Sequence, residues 1–232
     1  MALPANGKIV PAIEVVEVWR TYHTGSPQAI HALQGISLSV QPGAFLAIKG
    51  RSGSGKTTLL NCIGGLDEPT SGEVRLFNQA LDQMDEQKLT AFRGKNIGFV
   101  FQAISLSPAL SAYENVEFML RIAGASARQR RERTLYCLDL VGLGKWKDHR
   151  PDELSGGQQQ RVAIAWALAN QPHILIADEP TGRLDMATGR EILALFQRIV
   201  SEEGMTVLVA SHDPLVDEFV DQTLSLKDGR LS

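Results

Sequence analysis

Eight residues at 50–57, Gly-Arg-Ser-Gly-Ser-Gly-Lys-Thr, match the pattern G-x-x-x-x-G-K-[ST] in full. Glycines at this spacing let backbone wrap a polyphosphate, and the N–H groups of a helix start supply its donors. Gly50, Arg51, Ser52, Gly53, Ser54 and Gly55 then form a cradle, and Lys56 reaches the β- and γ-phosphates as a compact charge. Thr57, followed by Thr58, offers a hydroxyl to Mg²⁺. Further along, Asp178 and Glu179 form a carboxylate pair. Asp178 suits a role at Mg²⁺, direct or through its shell, and Glu179 suits a general base for an attacking water. An acidic pair also favours a helix start, but Pro180 follows at once and weakens that account. His212 is either a core histidine with its hydrogen bonds satisfied or a γ-phosphate contact; its place favours the second. Gln102 fits a group that orients water or touches Mg²⁺.

These residues need a scaffold, and the hydrophobic pattern supplies one. Four short, wholly apolar runs stand at 45–48 (FLAI), 97–101 (IGFVF), 174–177 (ILIA) and 207–210 (VLVA). Each reads as a strand covered on both faces. Helical stretches separate them, for example at 188–203, which points to a parallel α/β sheet. The cradle follows the first run, Gln102 the second, Asp178 and Glu179 the third, and His212 the fourth. Ligands of open α/β sheets bind at these carboxyl ends. Two other segments, 13–22 and 36–40, alternate as half-buried antiparallel strands do, with turn-like residues at 23–27 between them. Tyr22 ends the first of them. Its ring can stack on a purine or pack as an ordinary strand aromatic.

Between about 104 and 153 the pattern turns helical, with apolar spacing at 113–122 and 128–141. The run RQRRER at 128–133 reads as a solvated helix face, with contact to lipid headgroups as the alternative. The stretch LSGGQQQR at 154–161 is a glycine-rich helix start. By itself it is equally a serine N-cap with a flexible lead-in or an anion site of bared N–H groups. Asp228-Gly229 signals a tight turn near 227–230.

Composition excludes some classes. The 232 residues carry 44% apolar and 21% charged side chains with a net charge of −3, so no basic excess points to nucleic acid. Cys62 and Cys137 read as small buried hydrophobes in a reducing compartment. We expect no signal peptide and no membrane span, and therefore a cytoplasmic protein that reaches a membrane only through a partner.

With these residues placed, the chain resembles the ATP-binding subunit of ABC transporters over nearly its whole length. GRSGSGKT is similar to that family's Walker A, Gln102 to its Q-loop, LSGGQ to its signature and ILIADE to its Walker B. Leu184-Asp185 resembles the D-loop, His212 the switch histidine and Tyr22 the adenine-stacking aromatic. The resemblance implies an α/β fold, a P-loop NTPase (RecA-like) core with an antiparallel β subdomain and an inserted all-α subdomain. The core would take residues 1–103 and 154–232, and the helical part 104–153. It also implies ATP and Mg²⁺, hydrolysis through Lys56, Gln102, Glu179 and His212, and metal binding through Thr57, Gln102 and Asp178. Ser155, Gly156, Gly157 and Gln158 would meet the nucleotide of a second copy in an ATP-sandwich dimer, and Asp185, in the D-loop, would also bind nucleotide. The partner would be a transmembrane permease, the place the cytoplasmic face of the inner membrane, and nucleic acid is not expected.

NCIGGLDEPTSGEV (61–74), ELSGGQQQRVAIA (153–165) and ADEPTGRLD (177–185) narrow the likeness to export ATPases of the lipoprotein-releasing and macrolide-efflux type. Three positions depart from the family: Trp166 stands where arginine is usual, Lys49 where an apolar residue is, and Arg183 where a small or amide residue is. Two rival classes fit less well. Soluble ABC-type ATPases acting on DNA or the ribosome carry long coiled coils or tandem cassettes, and neither fits this length. Guanine-binding enzymes need NKxD, which is absent, and a small-molecule kinase has no use for LSGGQ.

Overall fold

The computed structural model describes residues 10–25 and 28–232. Ser26 and Pro27 of the expected turn lie outside the described residues.

A four-stranded antiparallel sheet has the order β2-β1-β4-β5, built from β1 (Ile13–Tyr22), β2 (Ile30–Val40), β4 (Ser71–Leu76) and β5 (Gln79–Ala80). A six-stranded sheet has the order β10-β9-β3-β8-β7-β6. Its strands are β3 (Phe45–Lys49), β6 (Ile97–Val100), β7 (Ile174–Asp178), β8 (Thr206–Ser211), β9 (Gln222–Lys227) and β10 (Arg230–Leu231). Strands β9, β3, β8, β7 and β6 run parallel, and β10 folds back against β9. The helices are α1 (Lys56–Ile63), α2 (Glu86–Asn96), α3 (Ala112–Ile122), α4 (Ala127–Leu140), α5 (Gly156–Leu168) and α6 (Met186–Glu203).

All four apolar runs are strands of the parallel sheet, and their alternate residues sort onto two faces. Phe45, Ala47, Leu175, Ala177, Val207 and Val209 join one core, packed under α3 to α6. Leu46, Ile48, Ile174, Ile176, Leu208 and Ala210 join the other, shared with α1 and the antiparallel sheet. A strand apolar on both faces has nowhere to go but between two layers. Phe45 and Phe196 meet edge to face at 6.2 Å in the first core.

Several elements differ from the hydrophobic pattern. The strand expected at 36–40 begins at Ile30. Its pairing with β1 slips between Val15 and Val18, where Val16 and Glu17 together face Ser37 and Glu17 has φ 48°. This bulge breaks the alternation on which the reading relied. The polar helix α2 buries no residue and is set by its N-cap, Asp85, which accepts from the Lys88 N–H at 2.8 Å. Strands β4 and β9 lie at or near sheet edges and carry too many polar residues to show an apolar run.

The RQRRER run is a largely exposed helix face with two of its arginines turned to neighbouring helices. Arg130 pairs with the buried Glu117 of α3 at 2.5 Å, and Arg133 donates to the Leu168 and Ala169 carbonyls at the end of α5. Arg128 pairs with Glu132 along its own helix, both of them exposed, and Arg131 is exposed as well. Burial pushes the Glu117 carboxyl up, but hydrogen bonds from Arg130 and Arg121 outweigh it and hold the group below its ordinary value. Arg130 and Arg133 thus tie α4 to its neighbours. Cys62 and Cys137 are buried free thiols, pushed by burial to about 12 and about 11.

Truncating the shared aromatic contact tests how far the first core depends on it. Phe196→Ala should cost about 3–5 kcal/mol of unfolding free energy by denaturant titration. A loss under about 1 kcal/mol would mean that α6 is not docked as described.

Candidate functional site

The loop at 50–55 joins the buried end of β3 to α1. Its conformation needs glycine at two places: Gly53 has φ 78°, and Gly55 has φ 104°, with an added Cβ only 2.5 Å from the Ala32 carbonyl of β2. Gly55 is the N-cap of α1 and makes no side-chain cap, so the first N–H groups of the helix stay open to a ligand. The Lys56 ammonium donates to the Gly50 carbonyl at 2.7 Å and the Arg51 carbonyl at 3.2 Å. It also faces a carboxylate oxygen of Glu179 at 3.3 Å, the two side chains being 7% and 10% exposed.

Glu179 comes directly after β7, and its backbone N–H donates to the Ala210 carbonyl of β8 at 2.9 Å. Its φ of 47° is a left-handed conformation in a non-glycine residue, held by that bond and by the Gly182 N–H on its own carbonyl. The turn aims the carboxylate across the sheet edge. One oxygen meets Lys56, and the other lies 2.8 Å from His212 Nδ1. His212 is itself 63% exposed, so it is not a core histidine.

The Thr57 hydroxyl donates to Asp178 Oδ2 at 2.7 Å. Burial, with the neighbouring Glu179 charge, pushes the Asp178 carboxyl up, against the pull of Thr57 and Lys56. Its other oxygen, Oδ1, is buried with no hydrogen-bond partner. A hydroxyl, a carboxylate and an orphaned carboxylate oxygen beside a phosphate cradle fit a hard divalent cation such as Mg²⁺.

These groups line one cleft of about 1010 Å³. Arg51, Ser52, Gly53, Gly55, Lys56, Thr57 and Thr58 form its floor, while Tyr22, Gln102, Glu179 and His212 surround it. Gly50 and Ser54 of the loop do not line this cleft, the Ser54 side chain being buried, and Asp178 reaches it through Thr57. The sequence reading missed the contribution of β2 (Ile30, His31, Ala32 and Gln34) and of the hairpin turn at Asp228-Gly229. That turn was legible only as a turn. What seats it against the cradle is Gly229, which donates to the Ser54 carbonyl at 3.0 Å and accepts from the Gln34 N–H at 2.8 Å.

The residues at 155–158 and Asp185 are elsewhere. Ser155 caps α5 by accepting from the Gln158 N–H, and Gln158 returns the bond to the Ser155 N–H at 2.8 Å. This capping box accounts for two of the four residues without any ligand. Ser155 and Gly156 are nonetheless exposed, and Gly157 is buried against α6. None of them lines the Lys56 cleft. Asp185 is outside it too: its carboxylate caps α6 through the Thr188 N–H and hydroxyl, which hold it below its ordinary value.

Of the three departures, Lys49 pairs with Asp217 at 2.6 Å and Trp166 packs half-buried against the first core. Arg183 is exposed.

Known proteins similar to this chain are of one kind. Residues 33–182 match the family model described as ABC transporter. The chain is 47% identical over 223 residues to an ABC transporter ATP-binding protein of Methanocaldococcus jannaschii, covering 94% of each. It is 48% identical over 219 residues to a macrolide export ATP-binding/permease protein of Syntrophobacter fumaroxidans, covering 94% of this chain but 30% of that protein. It therefore spans about a third of the length of such export relatives. The M. jannaschii cassette, solved as a dimer in a post-hydrolysis state bound to ADP and Pi, superimposes with a TM-score of 0.86 at 45% identity, covering 95% and 96% of the two chains. A subunit of a Clostridium perfringens ABC transporter complex does so at 0.88 and 33% identity, covering 96% and 87%.

The start of α5 offers a test of local packing. A Cβ at Gly157 would stand 2.5 Å from the Thr188 γ-methyl. Gly157→Ala should cost about 1–3 kcal/mol by denaturant titration, and adding Thr188→Ser, which keeps the hydroxyl, should restore most of it. Failure of the second change to help would place the strain elsewhere.

Proposed function

The chain belongs to the ABC transporter family, and on that footing we propose that it binds and hydrolyses ATP to power a partner membrane permease. The observation that carries this reading is the division of the chemistry. Lys56, Thr57, Glu179 and His212 meet in one cleft, with Asp178 behind Thr57, while the exposed Ser155-Gly156 helix start lies outside it. Two copies facing one another would join each cleft to the other chain's signature and to its Asp185, and ATP would sit between them.

In each composite site the cradle N–H groups and Lys56 hold the β- and γ-phosphates. Tyr22 gives the base a platform. Glu179 accepts a proton as water attacks the γ-phosphorus and the bond to the β-bridging oxygen breaks, releasing ADP and phosphate. His212, within hydrogen-bond reach of Glu179, fixes the carboxylate and faces the γ-phosphate. Mg²⁺ held by Thr57 and Asp178, with Gln102 near it, would neutralise charge on the phosphate oxygens. Because both chains complete each site, ATP favours the closed dimer and hydrolysis releases it, which is how work reaches the permease.

The permease places the subunit at the cytoplasmic face of the inner membrane; among the described residues no helix is long and apolar enough to cross one. The segment 105–116 is the proposed contact. Buried Asn115 holds it in shape, accepting from the Ser107 N–H and donating to the Ser107, Leu110 and Ser111 carbonyls. Likeness to macrolide-export proteins supports export of a lipoprotein, lipid, peptide or drug.

Glu179→Gln should retain ATP binding, lose about a hundredfold or more in hydrolysis, and elute as a dimer with ATP by gel filtration with light scattering. A variant that stays monomeric under saturating ATP would count against the sandwich. Ser155→Arg should abolish hydrolysis while single-chain ATP affinity by calorimetry is unchanged. Full activity in that protein would overturn the assignment of the signature to the facing copy.

A further inference from the structure

Tyr22 is not a free aromatic at the mouth of the cleft. Its hydroxyl donates to Asp67 Oδ2 at 2.5 Å, and the Arg20 guanidinium lies over its ring, 4.5 Å from the centroid. Arg20 and Asp67 are joined in turn, Nη2 to Oδ1 at 2.5 Å and Nε to Oδ2 at 3.0 Å. The three side chains make a closed unit, with Arg20 and Asp67 only 23% and 19% exposed. With Arg20 on one face of the ring, a planar ligand can stack only on the other.

The anchor of this unit is tied to the phosphate cradle. Asp67 stands just past α1, the helix whose first residue is Lys56. The Leu66 and Asp67 N–H groups both donate to the Asn61 carbonyl, at 2.8 and 3.2 Å, which extends the last turn of α1 to the carboxylate. The same loop is stitched to β1: the Thr70 N–H donates to the Trp19 carbonyl at 2.8 Å, and the Thr21 N–H to the Thr70 hydroxyl at 2.9 Å. One helix thus presents phosphate donors at its start and, just past its end, fixes the ring that faces the base. Neither Arg20 nor Asp67 lines the cleft.

We propose that Asp67, with Arg20, is the positioning residue for the nucleotide base, locking Tyr22 before the ligand arrives. This rests on the reading of Tyr22 as the base platform. The lock removes the ordering of one aromatic side chain from the cost of binding, which is worth about two- to tenfold in affinity. The phosphate end of the ligand owes nothing to it.

Calorimetry with MgATP and with magnesium tripolyphosphate separates the two ends. Asp67→Ala should weaken ATP about two- to tenfold and leave tripolyphosphate unchanged, which also shows that the variant is folded. Asp67→Asn, which keeps an acceptor for the Tyr22 hydroxyl, should recover most of the loss. In a Tyr22→Ala background, Asp67→Ala should have no further effect, since the group it positions is gone. Equal weakening of ATP and tripolyphosphate would overturn the proposal, because Asp67 would then act on α1 as a whole. Unchanged ATP affinity in Asp67→Ala, with Tyr22→Ala still impaired, would overturn it while sparing Tyr22 as the platform. If Tyr22→Ala binds ATP normally, the platform reading falls, and the proposal with it.

Discussion

A lysine ammonium and a glutamate carboxylate, each a tenth exposed or less, face one another at 3.3 Å across the edge of the parallel sheet. Taking either charge out of water alone would be costly, and removing one partner of such a pair typically costs about 3–5 kcal/mol. The arrangement therefore holds only while the strands that carry the two groups stay in register. Lys56 hangs from β3 through the cradle and Glu179 from β7, with β8 between them supplying both His212 and the carbonyl that pins the Glu179 backbone. Three adjacent strands and one strained residue converge on a single charge contact. A phosphate that enters meets a lysine already aimed and a carboxylate already oriented.

The cleft and the glycine-rich start of α5 are separate features of one chain. The cradle presents its donors outward, as do the exposed residues at the start of α5, yet the two do not share a cleft. The capping box satisfies the Ser155 helix start internally, so α5 folds without a ligand and its glycines can serve packing. Gly157 lets α5 approach Thr188 of α6, and Asp185 is spent on capping that same helix. What looks like anion-binding chemistry in one copy is thus also ordinary helix architecture.

Legibility in the sequence followed burial. The four parallel strands were plain because a strand covered on both faces must be apolar throughout, and the cradle was plain because phosphate binding restricts almost every residue in it. Helix α2 buries no residue fully, only resting Leu89 and Phe92 on the second core, and left no periodic trace, although Asp85 marks its start. The beginning of β2 and the bulge at Glu17 were hidden because a bulge breaks the period of two. The basic run at 128–133 is the solvated face its charges suggest at Arg128, Arg131 and Glu132, whereas Arg130 and Arg133 are fasteners between helices. Charge type shows in a sequence; the partner of the charge does not.

Residue order alone determined the fold class, the phosphate cradle, the carboxylate pair and the histidine, since each follows from local spacing at the end of an apolar run. Tertiary structure decided which of those groups share a cleft. It brought β2 and the Asp228-Gly229 turn to the cradle wall, set Glu179 between Lys56 and His212, and put Ser155 and Asp185 elsewhere. It also joined Tyr22 to Asp67 across forty-five positions of chain. The physical reason is that spacing governs only what neighbours along the chain can do together. Contacts between distant segments depend on sheet order and helix packing, and those are settled by burial of the whole chain.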